Sequence, residues 1–339
     1  MSKYIDGGCF TRRDRFFSLI SKSIPLHLHK KKMVREFLRR LKTAPNESPN
    51  RKKVKVKVNV YQGSNPHVLE MMEFLSGHLS EDLLGAYVHG SLGTYEEINY
   101  SDFDALVILK NEVLQDASRL AKAARRLINA RKIMLRMDPL QHHSWFVLTQ
   151  SDLSDYPQTF FPHELFTYAK SLLPDRGGEL EIAFDPGIQD YYQPFKNLLR
   201  SIRDKLDLKR PRNLYQLKGL LSQVMLLPAL YCQARDRKGI FKKYSFQEAR
   251  KNFTAREWEV LDEISSIRQT WHVHLSLMVK FILTRSTVFS RLFAVHFGPS
   301  IPRDLAQQLD DVFYNRVDSL ISLFIHKLFK PLEQELHRE

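Results

Sequence analysis

The chain has very little cysteine. Cys9 and Cys232 are its two cysteines, too few for a disulfide framework or a zinc site of their own. Long apolar runs are also missing. The longest, around Gly219 to Cys232, contains Gln223 and Pro228 and is too short to span a bilayer. The opening Met1-Ser2-Lys3-Tyr4-Ile5-Asp6 lacks the apolar core of a secretory signal. Gly-x-Gly-x-x-Gly and Walker-type loops are absent, so a Rossmann or P-loop nucleotide site has no support. Together these absences lead to the expectation of a reducing, cytoplasmic location.

What is present is a globular composition, 43% hydrophobic and 27% charged over 339 residues, enough for two ordinary domains. The net charge of +14 is unevenly placed. Residues 1–60 hold 17 basic and 4 acidic side chains, a net of +13, whereas the other 279 hold 35 and 34. The basicity therefore belongs to one end of the chain. It fits attachment to nucleic acid or another polyanion, and equally a solvated extension.

Residues 1–57 read as a basic leader and linker, partly disordered, with a helical pattern from Val34 to Leu41 and a Pro- and Asn-rich linker from Ala44 to Asn50. Lys53 to Tyr61 alternates Lys and Val, which predicts a strand with a solvated lysine face, suited to a sheet edge. Residues 58–178 read as an α/β domain: a helix near Pro66–Leu79, a buried strand at Leu83–Val88, a second strand at Phe103–Leu109, a helix over Val113–Arg131 and a third strand over His143–Thr149. Residues 179–339 read as an all-helical domain. Its centre is an apolar segment from Leu214 to Leu230, which Pro228 should kink or end, and further helices fit Arg256–Ile282 and Leu305–Leu328. The fold class expected is α+β, a small mixed sheet with helices followed by an all-α domain.

The segment that points to chemistry is Val88-His89-Gly90-Ser91, ten residues, and then Asp102-Phe103-Asp104. Gly90 ends a buried strand, where a backbone without a side chain permits close approach of a phosphate. Asp102 and Asp104 alternate on extended chain and so share a face, with Phe103 turned the other way. Two neighbouring carboxylates repel unless a cation neutralises them, and Mg²⁺ takes one or two carboxylates together with phosphate oxygens.

This arrangement resembles the nucleotidyltransferases of the DNA polymerase beta superfamily, strictly over residues 84–109. The resemblance implies a polymerase-beta-like domain that uses a nucleoside triphosphate and Mg²⁺ or Mn²⁺. Gly90 and Ser91 would hold the triphosphate, and Asp102 and Asp104 the metal. A third carboxylate, often the general base, is expected on the third strand. Asp138 is the candidate, with His142 or His143 as the other residues able to take that role. Leu226–Tyr231 and Lys242-Lys243-Tyr244-Ser245-Phe246 resemble the helical domain of bacterial small-molecule and protein nucleotidyltransferases, which points Lys242, Lys243 and Lys218 at the triphosphate. The expected activity is transfer of a nucleoside monophosphate to a hydroxyl of a small molecule, a protein or an RNA end. The competing expectation is a catalytically weakened nucleotide-binding or partner-neutralising protein of the same fold.

Overall fold

The structure is a computed structural model and describes residues 51–336 except 209, 274 and 286–288. The expectations for residues 1–50 lie outside the described residues.

The order of elements is β1 (Lys52–Val60), α1 (Pro66–His78), β2 (Leu83–Val88), α2 (Gly90–Gly93), β3 (Ala105–Leu109), α3 (Asn111–Gln115), α4 (Ala117–Met137) and β4 (Phe146–Thr149). Two 3₁₀ segments, Gln150–Leu153 and His163–Tyr168, lead to β5 (Lys170–Ser171) and β6 (Gly178–Phe184). A 3₁₀ turn at Pro186–Ile188 follows, and the regular structure described beyond it is α-helical. Its helices are α5 (Tyr192–Leu208), α6 (Leu214–Val224), α7 (Leu227–Asp236), α8 (Lys242–Arg250), α9 (Ala255–Gln269), α10 (Leu277–Arg285), α11 (Phe289–Phe297), α12 (Arg303–Gln308) and α13 (Asp311–Leu336). The fold is thus α+β, with one mixed six-stranded sheet in the order β4-β3-β2-β5-β1-β6.

The apolar runs of β2 and β3 follow from cover on both faces. Ala105, Val107 and Leu109 of β3 join Val68, Met71 and Leu75 of α1 and Leu120 and Leu127 of α4 in one core. Leu106 and Ile108, of opposite parity, join Val56, Tyr156, Phe161 and Phe166 in a second core on the other face. A strand buried on both sides has no polar face to show, hence Ala-Leu-Val-Ile-Leu.

β1 occupies an internal place in the sheet, not the edge. It pairs antiparallel with β6 along Lys52–Val58 and parallel with β5 at Asn59 and Val60. Its lysine face is solvated as the alternation implies, and β6 supplies the counter-charge: Lys55 lies 2.8 Å from Glu179 and Lys53 3.8 Å from Glu181. The sheet thus runs from residue 52 to residue 184, across both positions 57 and 178.

In the helical half, Pro228 does not end the central helix; it starts the next. α6 stops at Val224, and Pro228 sits in the first turn of α7, where its missing N–H costs nothing. The helix expected over Arg256–Ile282 is divided between α9, opened by a Thr254–Glu257 capping box, and α10. The Leu305–Leu328 segment is divided between α12 and α13.

Gly93, at the end of the turn that follows β2, is where backbones crowd. A Cβ there would lie 2.5 Å from the Tyr168 carbonyl oxygen and 3.1 Å from that of Val88. Gly93→Ala should therefore destabilise the protein by about 2–3 kcal/mol. Gly77→Ala, in α1 with nothing within 4 Å of the added carbon, should be neutral or stabilising by up to about 1 kcal/mol. Denaturant unfolding of both variants checks the pair, and equal effects would contradict it.

Candidate functional site

The end of the β2–β3 ladder brings the two parts of the sequence motif together. Val88 pairs with Ala105, and the His89 N–H donates to the Asp104 carbonyl at 3.0 Å. The next residue, Gly90, is therefore beside Asp104. It adopts φ +66°, in the left-handed region that favours glycine. A Cβ at Gly90 would stand 3.0 Å from Asp104 Oδ2. Ser91 ties the same turn to the aspartate segment, its hydroxyl donating to Ser101 Oγ at 2.9 Å.

Asp102 and Asp104 precede β3, which starts at Ala105. What holds them extended is a side chain. β4 begins at Phe146, opposite Leu106, so no strand reaches Phe103 on that side. The Gln141 carboxamide takes the strand's place. Its Oε1 accepts from the Phe103 N–H and its Nε2 donates to the Phe103 carbonyl, both at 3.0 Å. Nε2 also donates to the His143 carbonyl at 3.1 Å. Phe103 and Gln141 are buried, so Phe103 is locked into the helix-side core and the two carboxylates face away from it.

Below them lies an ammonium. Lys218, on α6 and 0% exposed, places Nζ 2.7 Å from Asp102 Oδ1 and 2.7 Å from Asp138 Oδ2. Asp138 caps the C-terminus of α4, and its Oδ1 accepts from the Leu140 N–H at 3.1 Å. Burial raises the Asp138 carboxyl, and Lys218 only partly offsets it. Burial pushes Asp102 the same way, but Lys218, His143 and the neighbouring Asp138 together hold it below the ordinary carboxylate range. The ammonium is desolvated, yet its two carboxylates keep it charged.

Tyr100 completes the joint. Its hydroxyl donates to the Lys218 carbonyl at 2.9 Å and meets Ser222 Oγ at 2.9 Å. Lys218 Nζ and the Arg268 guanidinium each lie 4.9 Å from its ring centre. Arg268 Nε is buried without a hydrogen-bond partner. Burial, and then Arg268, push the Lys242 ammonium down to about 8 against the opposing pull of Asp104 and Asp102. Lys242 and Arg268, both from the helical half, are thus close enough to Asp102 to feel its charge.

Of the residues singled out in the sequence, Gly90, Ser91, Asp102, Asp104, Asp138, Lys218 and Lys242 come together. Lys243 does not: it is exposed and pairs with Glu96. Asp138 has one oxygen on Lys218 and the other on a backbone N–H, so it stands behind the lysine. His142 is stacked on Tyr215 at 3.9 Å and packed on Gly219, and burial pushes it down to about 3. The His143 side chain is exposed. Gln141 and Tyr100 carry no sequence signal of their own, apart from lying beside the histidine pair and between the two halves of the motif. Arg268 is the helical-domain cation that the resemblance to nucleotidyltransferases does not assign to the triphosphate.

No family model matches the chain, no curated protein matches it, and no solved structure matches it at a significant level.

The Gln141 clamp yields a pH test. In Gln141→Glu, a protonated carboxyl can still accept from the Phe103 N–H and donate to its carbonyl. An ionised one sets a second acceptor against that carbonyl. Burial raises the folded-state pKa of the new acid above its unfolded value. The variant should therefore come closest to wild type at acid pH, short only of the Nε2 bond to the His143 carbonyl, and lose further stability as pH rises through the folded-state value. At neutral pH the loss should be at least about 1–3 kcal/mol. Unfolding titrations over a pH series measure it, and a difference from wild type that does not change with pH would refute the clamp.

Proposed function

We propose that the chain is a metal-dependent nucleotidyltransferase that moves a nucleoside monophosphate from a nucleoside triphosphate to an acceptor hydroxyl. The observation that carries this reading is the contact between Gly90 and Asp104. The bare glycine turn and the carboxylate pair, separate in sequence, meet edge to edge, as the resemblance to the DNA polymerase beta superfamily requires. The polymerase-beta-like identity of the α/β half belongs to the same proposal.

The donor set fits a divalent cation such as Mg²⁺ or Mn²⁺. Asp102 has one oxygen on Lys218 and a second to offer, and among the described residues no ion pair engages Asp104. Among the described residues no three His, Cys, Asp or Glu side chains form a closed metal cage, and Mg²⁺ does not need one when phosphate oxygens and water complete its shell. A metal bound there would offset the charge that develops on the reacting phosphate.

The chain's own groups divide the remaining work. The turn at Gly90 leaves room for phosphate oxygens beside Asp104. Lys242 and Arg268 supply positive charge toward the β- and γ-phosphates and the departing pyrophosphate. Lys218 holds Asp102 ionised and in place. The acceptor oxygen bonds to the α-phosphorus, the bond to the β-phosphate oxygen breaks, and the acceptor proton passes to a base. Asp138 is occupied by Lys218 and the Leu140 N–H, and His142 is packed away. His143, exposed and close enough to Asp102 to affect its charge, is the group we assign as base. The occupation of Asp138 also favours the second reading, a nucleotide-binding protein with weakened turnover.

Labelled triphosphates with Mg²⁺ separate these readings. Wild type should release pyrophosphate and label an acceptor identifiable by mass spectrometry. Asp104→Asn should lose at least about a thousandfold, a barrier change of about 4 kcal/mol, and Lys243→Ala should stay near wild type. Nucleotide binding without pyrophosphate release would favour the second reading. Full turnover in Asp104→Asn would remove the site assignment.

A further inference from the structure

The helical half carries a surface that neither the site nor the core explains. α10 and α11 are short helices that pack on one another. Leu283 and Ala294 turn their side chains into the body and are buried. Their other faces are apolar as well: Leu277 is 86% exposed, Met278 74% and Phe297 72%, with Phe281 and Leu292 each 57%. These five stand within 21 residues, while the remaining exposed large hydrophobics are scattered over the rest of the described chain. An apolar cluster of this kind marks an interaction surface. It is held by the fold, since Asn213 Nδ2 donates to the Ala294 and Val295 carbonyls and Gln216 Nε2 to that of Val295.

The sequence along this face carries charge of one sign. From Ile264 to Arg303 the sequence holds Arg268, Lys280, Arg285, Arg291 and Arg303 and no acidic residue. At the chain's content of 38 acidic residues in 339, a stretch of that length would hold about four. Lys280 and Arg285 flank the apolar face of α10, and the Arg285 guanidinium lies 4.9 Å from the Phe281 ring. Glu70, on the neighbouring α1, is ion-paired with Arg136.

We propose that this α10–α11 face docks on an anionic lipid surface, with Leu277, Met278, Phe281, Leu292 and Phe297 among the lipid chains and Lys280 and Arg285 at the headgroups. Helices with apolar tips and a basic border lie in the interface plane in this way, their long cationic side chains reaching back to the phosphates. Among the described residues no helix is long and apolar enough to cross a membrane, so the contact is peripheral. A second copy of the chain would set these cations against their own kind. A hollow lined by Leu292, Phe293, His296 and Phe297 lies on this face, but Leu277 and Met278 are not part of its lining, and side chains as exposed as these project outward. The proposal does not depend on the nucleotidyltransferase reading.

The test is flotation of the full chain with phosphatidylcholine vesicles, with and without phosphatidylserine, at low and high salt. Wild type should float with the phosphatidylserine vesicles and stay bound at about 1 M salt, where charges are screened within about 3 Å. The variant combining Leu277→Ser, Met278→Ser and Phe281→Ser should lose on the order of a hundredfold in partitioning at high salt, with its unfolding transition unchanged. Purely electrostatic attachment through the basic residues 1–60 would release wild type and variant alike at high salt, which overturns the proposal. In a second measurement, the emission of Phe281→Trp should shift to the blue on phosphatidylserine vesicles and be quenched by brominated lipid. No shift there overturns it. So does a wild-type dimer that ignores vesicles and that the serine substitutions dissociate, or a wild type that floats with neither vesicle.

Discussion

One ammonium ion holds the two halves of this protein in register. Lys218 lies on a helix of the helical half, Asp102 on the segment leading into β3, and Asp138 at the end of α4. Their contacts of 2.7 Å are made without solvent. Desolvating a lysine costs several kcal/mol, and only close carboxylates on fixed elements offset that. Removing the cation would leave two buried carboxylates facing each other, so the sheet end, the α4 cap and α6 are bound to a common geometry. Tyr100 reinforces it from the α/β side, with its hydroxyl on the α6 backbone and its ring under two cations.

The same bridge changes how the aspartate pair is understood. Alternation in the sequence puts Asp102 and Asp104 on one face, and like charges so placed call for a cation. Lys218 already provides part of that for Asp102, whereas Asp104 has no such partner among the described residues. The two carboxylates therefore have different work. Asp102 is positioned from below by the helical half, and Asp104 lies against the Gly90 turn. Asp138 is engaged by Lys218 through one oxygen and by the Leu140 N–H through the other.

What could be read from the sequence was local. The apolar runs of β2 and β3 announce strands covered on both faces, and the Gly-Ser and Asp-Phe-Asp segments announce a turn and a shared face. What could not be read depends on distant partners. Lys218 and Asp138 are 80 positions apart, and nothing in either neighbourhood marks them as a pair. Gln141 looks like an ordinary polar loop residue until its amide is seen to replace a missing strand. Pro228 marks a break correctly, but periodicity does not say that the break precedes it. The sheet overruns the expected boundaries at 57 and 178 because β6, a Glu-Leu-Glu strand, finds its complement in the Lys-Val alternation of β1. Of the basic segment, Lys53 and Lys55 are neutralised by that strand, so any polyanion attachment rests on the remaining cations. The apolar outer face of α10 and α11 was hidden for the opposite reason: helical spacing alone does not tell which side of a hydrophobic helix meets the body.

The central claim is that Asp102 and Asp104 form a metal site shared with a nucleoside triphosphate. Electron paramagnetic resonance of Mn²⁺ titrated into the full chain, with and without a non-hydrolysable triphosphate, tests it without relying on turnover or on the acceptor. The account predicts that the nucleotide tightens Mn²⁺ binding to wild type at least tenfold and that Asp104→Asn abolishes the effect. Mn²⁺ binding that is absent from wild type, or that ignores both the nucleotide and the substitution, would contradict it.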